Sequence, residues 1–157
     1  MQHIVNQINC LLIKNKKKIA VAESCTGGLT SNLLTQNSGS SQYFTLGVVA
    51  YSNAAKIKFL KIRPSLILKK GAVSKDVADK MAYAVRKLAK ADFGIGISGI
   101  AGPTGGSIQK PVGTVFIALN GKNKKILKSY IFKGGRLAIR KKAALKALEL
   151  LKSSLTS

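Results

Sequence analysis

The chain has 157 residues, enough for one domain with one substantial core, and its 46% hydrophobic content excludes a disordered chain. Lysine and arginine number 27 against 5 acids and 1 histidine, a net charge of +22. So few acids and a single histidine, His3 near a fraying terminus, argue against a Ser-His-Asp triad, a paired-carboxylate glycosidase and a protein-bound zinc.

Cys10 and Cys25 have neither disulfide nor metal spacing, which fits a reducing, cytoplasmic compartment. No apolar run approaches the ~20 residues of a membrane span, so no membrane partner is expected. The N-terminal apolar pattern lacks a basic leader and a cleavage site, and is read as a helix of the domain. Lysines fall in every helix and loop without interleaved aromatics. The charge therefore predicts salt-sensitive sticking to nucleic acid but no specific nucleic-acid partner.

In chain order, residues 2–16 place Ile4, Val5, Ile8, Leu11 and Leu12 on one face of a helix closed by Lys16-Lys17-Lys18. Residues 19–22 form a short buried strand. This strand runs into Glu23-Ser24-Cys25-Thr26-Gly27-Gly28, and a helical pattern from 27 to about 36 leaves it. Residues 37–41 are a polar loop, and 43–51 a strand rich in aromatic and β-branched residues. Ser52-Asn53 caps a helix to about 60, Arg63-Pro64 breaks it, and one or two helical turns follow. Ser74 caps the clearest helix, with Asp76 in its first turn and Val77, Met81, Ala84, Val85 and Leu88 on one face. Residues 93–97 are a strand, 98–111 a glycine-rich loop and 112–119 a strand. Asn120-Gly121 signals a hairpin turn into a strand at 125–132. A last helix runs from about 136 to 151. This order predicts one domain over residues 1–157, an α/β fold built as a three-layer α/β/α sandwich around a mixed, partly parallel sheet.

Three polar stretches end strands: Ser24 to Gly28, Tyr51 to Lys56, and Ser98 to Gly106. Ligands bind outside the carboxyl ends of strands in such sheets. Each stretch also has a plain structural reading: a helix cap at Ser24 or Thr26, a solvated lysine at 56, an idle crossover after Ser98. A fourteen-residue connection is long for an idle one. It is neither G-x-G-x-x-G nor a Walker A sequence. With histidine scarce, a catalytic base would be a lysine, a tyrosine or Glu23, and Lys56 could serve a Ser24 nucleophile, since burial or nearby positive charge lowers a lysine's pKa.

Glu-Ser-Cys-Thr-Gly-Gly (23–28), Tyr-Ser-Asn-x-x-Lys (51–56), Gly-Ala-Val-Ser (71–74), Ser-Gly-Ile-Ala-Gly-Pro-x-Gly-Gly (98–106), Lys-Pro-Val-Gly-Thr-Val (110–115) and Gly-x-Arg-x-x-x-Arg (134–140) occur in this order. The chain resembles, over about residues 5–152, the C-terminal domain of the CinA family in its stand-alone bacterial form, the nicotinamide-nucleotide amidases. The resemblance implies hydrolysis of nicotinamide mononucleotide to nicotinate mononucleotide and ammonia. It also implies a cytoplasmic protein without metal or cofactor, and a homo-oligomer, dimer or higher. Carried over residue by residue, it makes Ser24 the nucleophile and Lys56 the base, with Tyr51 orienting the lysine or a water. Thr26, Gly27 and Gly28 would offer backbone N–H groups to the oxyanion. Gly102, Thr104, Gly105 and Gly106 would form the nucleotide loop, and Lys110, Arg136 and Arg140 would hold the phosphate. Glu23, the only acid inside these motifs, is counted with the binding residues and is expected to hold a backbone or lysine in place. Cys25 and Thr26 are rival nucleophiles. The family commonly has acids where this chain has Lys75, Ile108, Gln109 and Gly135. Their absence leaves a second expectation, a nucleotide-binding or interaction module with weakened hydrolysis.

Overall fold

The computed structural model describes residues 2–156. Helix α1 (Gln2–Lys14) precedes strand β1 (Ile19–Glu23), helix α2 (Leu29–Thr35) and strand β2 (Phe44–Val49). Three helices follow, α3 (Asn53–Leu60), α4 (Pro64–Lys70) and α5 (Lys75–Leu88), then β3 (Phe93–Gly99), β4 (Thr114–Gly121), β5 (Lys125–Ile131) and α6 (Arg136–Thr156). The sheet order is β2-β1-β3-β4-β5. Strand β1 runs parallel to β2 and β3, while β4 and β5 are antiparallel additions. The sheet is thus mixed, as the element order predicts. Among the described residues no helix is long and apolar enough to cross a membrane.

Helices cover both faces. On one, Ile19, Val21, Ile95, Ile97 and Ile117 meet Val5, Ile8 and Leu12 of α1, Leu33 of α2, and Ile139, Ala143 and Leu148 of α6. On the other, Ala20 and Ala22 meet Leu60 of α3 and Val77, Met81 and Val85 of α5. The second face can pack tightly because its residues are small. A Cβ on Gly96 would lie 2.2 Å from the Ala78 carbonyl oxygen, and one on Gly94 2.2 Å from that of Ala82. These two glycines let α5 rest on the backbone of β3. As the sequence predicts, α5 is capped by Ser74, whose Oγ accepts from the Val77 N–H, with Asp76 in the first turn.

Some boundaries differ from expectation. Helix α2 begins at Leu29 rather than Gly27, because Gly27 and Gly28 take φ of 60° and 94°. Neither Ser24 nor Thr26 caps it; the cap residue is Gly28, which has no side chain. The Asn120-Gly121 pair is not the hairpin turn. Both residues belong to β4, pairing with Lys125 of β5 and Phe93 of β3, and the chain turns over the next residues, where the Gly121 N–H donates to the Lys124 carbonyl. A Cβ on Gly121 would lie 3.1 Å from the Phe93 ring, so the glycine serves close packing. Strand β4 starts two residues later than predicted and α6 continues to Thr156.

Candidate active site

Because β1, β2 and β3 are parallel, their carboxyl ends share one edge of the sheet, and the three polar stretches converge there. They line a cleft of about 270 Å³.

Ser24 is the first residue past β1. Its N–H donates to the Ile97 carbonyl, extending the β1–β3 ladder, and its carbonyl accepts from the Gly27 N–H, which turns the chain. Lys56 stands one turn into α3, after a cap in which Ser52 Oγ accepts from the Ala55 N–H. Helical side chains lean toward the helix N-terminus, and this one reaches into the cleft. Lys56 Nζ lies 3.1 Å from Ser24 Oγ, 2.9 Å from the Ala50 carbonyl oxygen and 3.2 Å from that of Tyr51. Lys56 is only 2% exposed, and among the described residues no carboxylate pairs with it. Burial pushes its pKa below the ordinary lysine value. A neutral amine has two N–H groups and one lone pair. All three recorded contacts are donations from Nζ, which an ammonium can make at once; on losing a proton the amine can keep the two carbonyls, and its lone pair then faces the Ser24 hydroxyl. That is the arrangement of a general base next to a nucleophile.

The neighbouring candidates sit differently. Cys25 also lines the cleft, but burial pushes its thiol up to about 11. It is therefore protonated near neutral pH and a poor nucleophile. Thr26 is fully buried and does not line the cleft; its hydroxyl has no partner among the described residues, and its carbonyl accepts from Arg140 Nη2 at 2.8 Å. The arginine is thus engaged behind the loop rather than facing a ligand. Gly27 packs against it, since a Cβ there would lie 3.1 Å from Arg140 Nη2. The Gly27 N–H is already held by Ser24 and is no oxyanion donor, and Gly28 belongs to the start of α2. Glu23 is fully buried and touches no cleft: its carboxylate accepts from the backbone N–H groups of Thr30 and Ser31 at 2.9 and 2.8 Å, and from Ser31 Oγ. It caps α2 from a strand, replacing the side chain that Gly28 lacks.

On the far wall, Gly102, Thr104 and Gly105 line the cleft, while Gly106 lies behind it against Val112. Arg136, first residue of α6, bridges the mouth. Its Nη1 donates to the Gly102 carbonyl and its Nη2 to the Tyr51 hydroxyl, both at 2.7 Å. Lys110 turns away; its ammonium donates to the carbonyls of Val73 and Lys70 and ties the glycine loop to the segment between α4 and α5. Of the three expected phosphate cations, Arg136 alone lines the cleft.

Sequence reasoning passed over Asn53, Ser98, Ala72 and Val73 as site residues, and all four line the cleft. Asn53 could have been found from its place three residues before Lys56, on the same helical face. Ser98 is the next-to-last residue of β3, and its hydroxyl donates to the Ala72 carbonyl at 2.7 Å. Ala72 and Val73 lie inside the Gly-Ala-Val-Ser motif, and that hydrogen bond brings them to the cleft.

The profile of the CinA C-terminal domain matches residues 1–155. A protein described as a putative competence-damage inducible protein, from Thermoanaerobacter pseudethanolicus, is 48% identical over 142 residues, covering 90% of this chain and 34% of its own length. A CinA-like protein of Desulfotalea psychrophila is 45% identical over 152 residues, 97% of this chain and 36% of its own. The chain therefore spans about a third of the length of these curated relatives. Among solved structures, a competence/damage inducible protein of Agrobacterium tumefaciens superposes with a TM-score of 0.96 at 34% identity, covering 99% of this chain and 95% of the other. A competence damage-inducible protein of Klebsiella pneumoniae superposes at 0.95 with 32% identity, covering 99% and 96%.

Proposed function

The chain belongs to the CinA C-terminal domain family, and on that premise we propose that it is an amidohydrolase that converts nicotinamide mononucleotide to nicotinate mononucleotide and ammonia. The observation that carries the reading is the buried Lys56 amine 3.1 Å from Ser24 Oγ, without a carboxylate partner among the described residues.

On this reading Ser24 Oγ attacks the carboxamide carbon while Lys56 Nζ takes the hydroxyl proton. The carbonyl oxygen becomes an oxyanion beside the turn that follows Ser24, where the Cys25 N–H is the nearest donor along the chain. Collapse of the tetrahedral adduct breaks the C–N bond, and the Lys56 ammonium returns its proton to the leaving nitrogen. Ammonia departs, leaving an ester on Ser24. Lys56, neutral again, takes a proton from a water that attacks the ester carbon, and on collapse it returns that proton to the departing Ser24 Oγ, leaving the acid to ionise to the carboxylate. A cleft of about 270 Å³ is near the lower end of ordinary small-molecule sites, roughly 300–1,000 Å³. It suits the pyridine carboxamide rather than the whole nucleotide. The ribose phosphate would then lie at the open mouth, where Arg136 keeps donors beyond the two it gives to Gly102 and Tyr51.

The departures from the family pattern do not favour the weakened-module alternative. Lys75, Ile108, Gln109 and Gly135 are all exposed, and none lines the cleft. The deciding assay is ammonia release from nicotinamide mononucleotide, with nicotinamide riboside as the control without phosphate. Turnover of the nucleotide in preference to the riboside is expected; no ammonia from the nucleotide would sink the reading.

A further inference from the structure

A second concavity, of about 810 Å³, lies on the helical face formed by α3, α4 and α5. It is separate from the cleft. Its floor is aliphatic: Leu60, Ile62, Leu66 and Ala84. Its rim carries three large hydrophobics left in water, Phe59 at 56% exposed, Tyr83 at 46% and Leu88 at 60%. Every charged residue lining it is basic: Lys61, Arg63, Lys69, Lys80 and Lys87.

We propose that this groove docks an acidic amphipathic helix of a partner protein, with the partner's apolar stripe on the aliphatic floor and its carboxylates against the lysine rim. Charge selects the occupant. A second copy of this chain has little acid to bring to this basic rim, since Glu23 is buried and Asp79, Asp92 and Glu149 are already paired with lysines, so a homo-oligomer would form through another face. Single-stranded nucleic acid meets the charge but not the shape. Bases bind by stacking on free aromatic faces. Here Lys58 Nζ lies over the Phe59 ring at 5.7 Å and Lys87 Nζ over the Tyr83 ring at 5.8 Å. The remaining surface is branched aliphatic. A helix laid in a groove needs an apolar floor between helices and exposed anchors at its edge, and both are present. Exposed apolar side chains gathered at one place, rather than scattered, mark interaction surfaces.

The test is fluorescence anisotropy on the whole chain with a labelled helical peptide of about 15 residues. Its leucines follow the i, i+3, i+4, i+7 spacing, with glutamate elsewhere. A scrambled peptide of the same composition and charge is the control. The patterned peptide is expected to bind about tenfold more tightly than the scrambled one or better, and to keep that advantage in high salt, where the purely electrostatic part is screened. Tyr83→Ala with Leu88→Ala should erase the difference and leave ammonia release unchanged, since neither residue lines the cleft. Both side chains are about half exposed, so the fold should survive their truncation. Lys80→Glu with Lys87→Glu is the second variant, and should weaken the patterned peptide while sparing the melting temperature. Equal binding of the two peptides, or an advantage that survives both double variants, overturns the proposal. So does an oligonucleotide complex, or a dimer in sedimentation, that the Tyr83/Leu88 variant abolishes. Failure of the amidase reading would leave these outcomes untouched.

Discussion

The chemistry rests on one amine held in an unusual place. A buried lysine with no counter-charge is costly as an ammonium, so folding favours its neutral form. Two consequences follow with definite signs. The ratio kcat/KM should rise with pH through the lowered Lys56 pKa and level off before the ordinary lysine value of 10.5. Stability should follow the same window. Between the lowered value and 10.5 the folded chain binds fewer protons at Lys56 than the unfolded chain, so stability increases with pH there. Lys56→Met should flatten this slope, read as melting temperature against pH; an unchanged slope would place the titration elsewhere. Ser24 and Lys56 were legible in the sequence through two signals together: scarce histidine and acid left lysine as a candidate base, and the motif resemblance picked out these two positions. Lys110 and Arg140 were not legible in the same way. In a chain with 27 basic residues, nothing local says which cation will face a ligand. The Val73 and Thr26 carbonyls that engage these two are brought to them only by the fold.

At the scale of elements, Glu23 links strand, helix and site. It ends β1, its carboxylate caps α2, and Ser24 lies between the two. Glu23→Ala would leave two helix N–H groups without their acceptor, a loss of about 1–3 kcal/mol. For a domain of this size that lowers the melting temperature by roughly 2–12 °C. Activity should fall with it, because the turn holding Ser24 loses its far anchor. Glu23→Gln keeps one acceptor oxygen and should lie between, as thermal melts and ammonia release on the same samples can show. Helices α1 and α5 were readable because their apolar residues recur at helical spacing. The start of α2 and the β4–β5 turn were not. In both, a glycine that locally signals one thing answers a tertiary need: positive φ at Gly27 and Gly28, and the Phe93 ring beside Gly121. The three-layer architecture survives such errors, since it depends on the order and type of the elements and not on where each one begins.

Across the whole molecule, the net charge of +22 sets a positive field over every approach to the cleft. Nicotinamide mononucleotide, the proposed substrate, carries a phosphate and would arrive as an anion, while the riboside keeps only its pyridinium charge. Added salt should therefore lower kcat/KM for the nucleotide and leave it level or higher for the riboside. A common response to salt in both substrates would mean that the field plays no part in capture. The same field underlies the acidic partner proposed for the groove between α3, α4 and α5. It does not create the proposed reaction, which on our reading depends on the amine and the hydroxyl at the end of the sheet. That dependence is tested most directly by ammonia release from nicotinamide mononucleotide in Ser24→Ala and Lys56→Met, each checked for folding by its melt. The predicted result is a fall of about 10²–10⁴-fold for the lysine variant and at least as large for the serine variant. Near-normal turnover in either folded variant would contradict the account.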